Sequence, residues 1–165
     1  MSSTQEKDSI DAIDVLTADH RAVESLFEAF ERADESDLDA RSTLVRRACE
    51  LLTVHAMIEE EILYPAAREM LPDSDKTDVD EALVEHFLVK ALIEKFAAMN
   101  AGAPGFDATF KVLSENVRHH VEEEEGELFP ELRKAMPNLS ELGRRLVARK
   151  DELMAKLPTN VGDRT

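Results

Sequence analysis

The chain has 165 residues, enough to bury a hydrophobic core within one domain. Glycine (5) and proline (6) are few and aromatics make up 5%, a composition that favours helices. A net charge of −16 disfavours nucleic acid and anionic membranes as partners. The single cysteine, Cys49, excludes a disulfide framework or a cysteine-built zinc or iron–sulfur site within the chain.

Residues 1–9 lack the basic start and apolar run of a secretory signal and are expected to be a flexible N-terminus, with the cytoplasm as the expected location. No segment is apolar for long enough to span a membrane. A first helix is predicted over residues 9–32, where Ile13, Leu16, His20, Val23, Phe27 and Phe30 recur at helical spacing. After a turn at residues 34–37, Asp37 or Asp39 can cap a second helix carrying Leu44, Ala48, Leu51, His55, Ile58 and Ile62. Pro65 removes a backbone donor and predicts a kink or restart there. A break at residues 71–75 precedes a third helix with Val79, Leu83, His86, Val89, Ile93 and Phe96, which ends in the breaker cluster at residues 100–105. The fourth helix carries Phe110, Leu113, Val117, His120, Glu124 and Leu128, and Pro130 repeats the role of Pro65. A shorter fifth helix over residues 137–158 has Leu139, Leu142, Leu146, Leu153 and Leu157 on one side, followed by a flexible tail over 159–165. The expected fold is all-α: an antiparallel up-down-up-down four-helix bundle over residues 10–136, with the fifth helix packed outside it.

Within this pattern one phrase is written twice. His55-Ala56-Met57-Ile58-Glu59-Glu60 runs on to Leu63-Tyr64-Pro65, and His120-Val121-Glu122-Glu123-Glu124-Glu125 runs on to Leu128-Phe129-Pro130, with every matched position displaced by the same interval. A fainter echo, Leu16 to His20 to Phe30, is answered by Leu83, His86 and Phe96. Each half therefore carries a histidine on one helix and His-x3-Glu on the next. Residues four apart on a helix lie one turn apart on the same face. Four imidazoles and two carboxylates on apolar stripes would be costly to bury without a cation, and metal ligation removes that cost. His20, His55, Glu59, His86, His120 and Glu124 are thus the candidate metal ligands.

Histidine and carboxylate without thiolate suit iron, manganese or zinc, and two carboxylates from opposite helices favour a dinuclear centre. Other metal motifs fail. There is no His-Glu-x-x-His and no Glu-x-x-His, since Thr17, Leu52, Leu83, Asn116 and Val117 stand three before the histidines. The stretch from Asp73 has Asp78 where a calcium loop needs glycine and Val84 where it needs glutamate.

The order His20, His55-x3-Glu59, His86, His120-x3-Glu124, with Pro65 and Pro130 closing the long motifs, resembles the hemerythrin-like (HHE cation-binding) family over about residues 10–136. The resemblance implies a non-haem di-iron centre with Glu59 and Glu124 bridging and the histidines terminal. Oxygen-carrying hemerythrins place a further histidine four residues after the one on the third helix; that position is Lys90, so the carrier pattern is broken. Two six-coordinate irons offer about twelve positions, of which four histidines, two bridging carboxylates and an oxo or hydroxo bridge fill about ten. Open positions on both irons favour bridging chemistry over reversible oxygen carriage. Lys90 is expected to bend outward, its stem covering the pocket.

The expected function is a di-iron protein that binds or consumes oxygen, hydrogen peroxide or nitric oxide, with peroxide-consuming (catalase-like) activity an open possibility. The alternative is an iron, oxygen or redox sensor acting through a protein partner, with iron storage or iron–sulfur repair ranked below it. Glu60 and Glu125 stand as substitute ligands one residue on from the chosen pair, and Tyr64 as a donor to bound oxygen. His119 is read as a surface or supporting residue, and Cys49 as a small packing residue.

Overall fold

The structure, a computed structural model, describes residues 10–157, so the expectations for residues 1–9 and 159–165 lie outside the described residues. Helix α1 (Ala12–Arg32) begins three residues later than its periodicity suggested because Asp11 caps it, its carboxylate accepting from the backbone N–H groups of Ile13 and Asp14. Asp37 caps α2 (Leu38–Ile58) through the N–H of Ala40. At the turn between them Arg41 is buried, its guanidinium donating to the last carbonyls of α1 at Phe30 and Ala33 while stacking over the Phe30 ring.

Beyond α2 the chain passes through a π-helical turn (Glu59–Leu63) into the short α3 (Tyr64–Met70). Helix α4 (Lys76–Phe96) follows, then α5 (Phe106–Glu123), whose N-cap Gly105 sits at φ 86, a conformation that favours glycine. A second π turn (Glu124–Leu128) leads into α6 (Phe129–Ala135), and α7 (Ser140–Ala155) is the last helix among the described residues. Among the described residues all regular structure is helical. Helix α1 packs along α2 and α4 along α5, while contacts of α1 with α5 and α2 with α4 close the four-helix bundle. No helix among the described residues is long and apolar enough to cross a membrane.

Helix α7 lies against α1, α2 and the first π turn, burying Leu142, Leu146 and Leu153. Gly143 makes that approach possible, since a Cβ there would stand 1.9 Å from the carbonyl oxygen of Ile10.

The core is in two parts. Leu16, Ile58, Leu63, Leu132 and Leu146 form one cluster, and Phe27, Phe30, Val45, Leu113 and Phe110 the other. Full burial of each such side chain contributes roughly 1.5–3 kcal/mol. On α1, α2, α4 and α5 the buried histidine lies between residues of the two clusters, so a polar layer is held between apolar ends.

Candidate metal centre

His20, His55, Glu59, His86, His120 and Glu124 are all buried, with Glu59 0% and Glu124 2% exposed. Their ligating atoms gather into two overlapping groups: His20, His55, Glu59 and Glu124, and Glu59, His86, His120 and Glu124. The two carboxylates belong to both. Glu59 and Glu124 each open a π turn, so the repeated motif supplies one shared acid from each half.

The spacing suits ions rather than hydrogen bonds. Within each histidine pair the Nε2 atoms face each other at 3.2 Å. The nitrogen of His55 lies 3.0 Å from Glu59 Oε1, and those of His20, His86 and His120 lie 3.2 Å from a shared carboxylate. Metal–nitrogen and metal–oxygen bonds of about 2.1 Å give an octahedron with edges of about 3.0 Å. Both oxygens of Glu59 and Oε1 of Glu124 are buried without a hydrogen-bond partner, although imidazole nitrogens stand close by. Orphaned buried carboxylate oxygens are expensive unless a cation meets them, so the donor set fits a pair of divalent or trivalent ions.

A second ring of carboxylates orients the imidazoles. His55 Nδ1 donates to Asp19 at 2.9 Å and His120 Nδ1 to Glu85 at 3.0 Å. His20 Nδ1 donates to Glu125 at 2.9 Å and His86 Nδ1 to Glu60 at 3.0 Å. A carboxylate accepting from Nδ1 fixes the tautomer in which Nε2 faces inward with its lone pair free to meet an ion. Burial disfavours the charged forms of His55 and Glu59, yet each stabilises the other's charge. His55, also bonded to Asp19, is pushed up to about 10, and Glu59 is held well below the usual carboxylate range. Without metal, a proton on His55 balances the Glu59 charge, and an ion would displace it.

Glu60 and Glu125, the substitute ligands of the sequence reading, instead face these outer nitrogens. Lys90 does turn outward, but to a specific partner: its ammonium donates to Glu60 at 2.6 Å. His119 is exposed and pairs with Glu123 at 3.0 Å. Cys49 is half-buried, with its thiol pushed up to about 12 by burial and then by Glu50.

Asp19 and Glu85 escaped the sequence reading. The signal was present, since an acid directly precedes the first histidine of each half in Asp19-His20 and Glu85-His86. Tyr64 owes its place to the π turn. Its backbone N–H bonds to the carbonyl of Glu59, five residues back, which brings it round to the side of Glu59; Phe129 bonds to Glu124 in the same way. The prolines explain the wide turns. Each lacks a donor, and its ring crowds the carbonyl four residues back, so regular α geometry cannot continue. The Tyr64 hydroxyl donates to Glu124 Oε2 at 2.7 Å and lies 3.1 Å from His86 Nε2.

Residues 11–132 match the hemerythrin HHE cation binding domain family. A protein of Nostoc sp. named a DNA nickase is 30% identical over 128 residues, 78% of this chain and 35% of that protein. An uncharacterized hemerythrin-like protein of Schizosaccharomyces pombe is 29% identical over 121 residues, 73% of this chain and 59% of that protein. The chain therefore spans about a third and three-fifths of the lengths of these relatives. The crystal structure of a hemerythrin HHE cation binding domain-containing protein from Mycobacterium kansasii superposes with a TM-score of 0.74 at 21% identity, covering 88% of each chain.

Proposed function

This chain belongs to the hemerythrin HHE cation binding domain family, and we propose that its buried centre holds two iron ions and binds or consumes a small oxidant such as oxygen, hydrogen peroxide or nitric oxide. His20 and His55 would hold one ion and His86 and His120 the other, with Glu59 and Glu124 shared between them. The paired ions would supply one-electron redox steps and Lewis acidity.

The observation that carries the choice of ligand is a cavity of about 30 Å³ bordered by all four histidines and walled by Val23, Leu52, Val89, Val117 and Val121. A single water needs about 10–15 Å³ by the same measure, so the space suits a molecule of two or three heavy atoms. Its apolar walls keep bulk water from the metals and favour a small, weakly polar guest. Tyr64, its phenol kept protonated by burial and by the neighbouring Glu124 and Glu59 charges, commits its proton to Glu124 Oε2 and sets the hydroxyl oxygen beside His86 Nε2.

Nicking activity is named for the Nostoc protein, of which this chain matches a minor part. A net charge of −16 and a centre sealed inside a bundle favour a small guest over a polyanion here. The deciding experiment adds hydrogen peroxide to the iron-loaded chain and follows oxygen with an electrode. Sustained evolution over many equivalents identifies consumption, and a single stoichiometric spectral change identifies binding. No response to peroxide, oxygen or nitric oxide, together with nicking of supercoiled plasmid, would overturn the proposal.

A further inference from the structure

The carboxylates behind the four histidines are not equally supported. Glu125 is paired with Arg21 and Glu60 with Lys90, the two cations exposed and the two carboxylates half-buried. Asp19, behind His55, receives the ammonium of Lys150 at 2.5 Å, in a pair far more covered, with side chains 10% and 32% exposed. Glu85 is the counterpart of Asp19 in the second half. Among the described residues no lysine or arginine reaches it; its outer neighbours are the exposed His119, at 3.7 Å, and Glu123. The two halves of a near-symmetric centre therefore differ in one charge.

That charge comes from α7, which lies beyond the family match at residues 11–132. The helix is keyed to the first half by a second contact. Arg149, beside Lys150, donates to Glu61 in the first π turn at 2.8 Å, and the position equivalent to Glu61 in the second π turn is Gly126. No corresponding grip on the second half is possible there.

We infer that Lys150 is a positioning residue that makes the two metal positions inequivalent, the ion between His20 and His55 being the easier to reduce. This rests on the two-iron reading. A carboxylate accepting the Nδ1 proton of a ligating histidine increases the electron donation of Nε2. Lys150 draws on the charge of Asp19 and so weakens that donation through His55. Glu85, without a lysine or arginine, donates more strongly through His120 and stabilises the higher oxidation state there. Their partial burial leaves the Lys150–Asp19 pair less screened than a surface pair.

The test uses the full chain loaded with iron, as the parent, Lys150→Met and Lys150→Arg. Iron per chain is measured first, then both potentials are followed optically while dithionite, through mediators, delivers one electron to each ferric ion. Two separated steps are expected in the parent. Lys150→Met shifts the more positive step downward and narrows the separation, while Lys150→Arg restores it. A loosened but electrostatically neutral site would not show that sign with rescue by arginine. Parent protein with one ion per chain overturns the two-iron reading and the inequivalence with it. Two ions whose potentials ignore Lys150→Met, or shift equally in Lys150→Arg, overturn the inequivalence alone. Loss of iron from both variants overturns it as well.

Discussion

Tyr64 spans the bundle to Glu124, its hydroxyl 2.7 Å from Oε2, and so joins the end of one π turn to the start of the other. The phenol is the only tyrosine of a chain without tryptophan, which makes its ionisation directly visible in the ultraviolet. Burial first, and then the charges of Glu124 and Glu59, push it well above the ordinary value of 10.0. The metal-free protein should show little phenolate absorbance at pH 10. Because the folded value is raised, the associated stability is full below the unfolded value and is lost as pH rises through the folded one. Half-ionisation near pH 10 in the folded protein would show that the contact to Glu124 is not made.

Glu59→Ala or Glu124→Ala should abolish binding of both ions, since each removes an acid common to both groups. Glu60→Ala or Glu125→Ala should retain metal with affinity weakened about 10–100-fold, the usual cost of losing a carboxylate behind a ligating histidine. Metal analysis after dialysis against graded chelator separates the two classes. Iron lost with Glu60 or Glu125 but kept without Glu59 or Glu124 would reverse the assignment. In the parent, metal removal should lower the melting temperature, because ions that bind the native state alone stabilise it.

Gly143→Ala tests the docking of α7. The new methyl, fixed on its own backbone, would collide with the Ile10 carbonyl, which a rotamer change cannot relieve. Overpacking of this kind costs about 1–3 kcal/mol. A urea midpoint unchanged from the parent would mean that α7 does not seat on the start of α1.

Glu131 gives a second pH signature, away from the centre. Burial, followed by the neighbouring Asp78 carboxylate, pushes its carboxyl up to about 7 from an ordinary 4.5. The folded value is raised, so its contribution is fully present below pH 4.5 and disappears as pH rises through about 7. Glu131→Gln should therefore be more stable than the parent at pH 8, with the advantage shrinking toward acid pH. Parallel melting profiles for the two proteins across pH 4 to 8 would contradict the assignment.

The helices, their order and the six inward-facing residues were legible in the chain because all of these are local. Apolar spacing marks the buried stripe of each helix, and His55 and Glu59, or His120 and Glu124, share a face one turn apart whatever surrounds them. The duplication added that the histidines and His-x3-Glu of one half are answered in the other. The tertiary structure alone decided which acid meets which imidazole. Glu60 and Glu125 had the same claim to the inner ring on spacing, and packing turned them to the outer nitrogens of His86 and His20, the latter 105 residues away. The wide turn that carries Tyr64 inward breaks the α-helical count on which the sequence reading depended. Lys150 reaches Asp19 across 131 residues because α7 closes onto α1, and no periodicity within α7 encodes that meeting. Local spacing determines which face a side chain shares, while the opposing group is chosen only when distant helices pack.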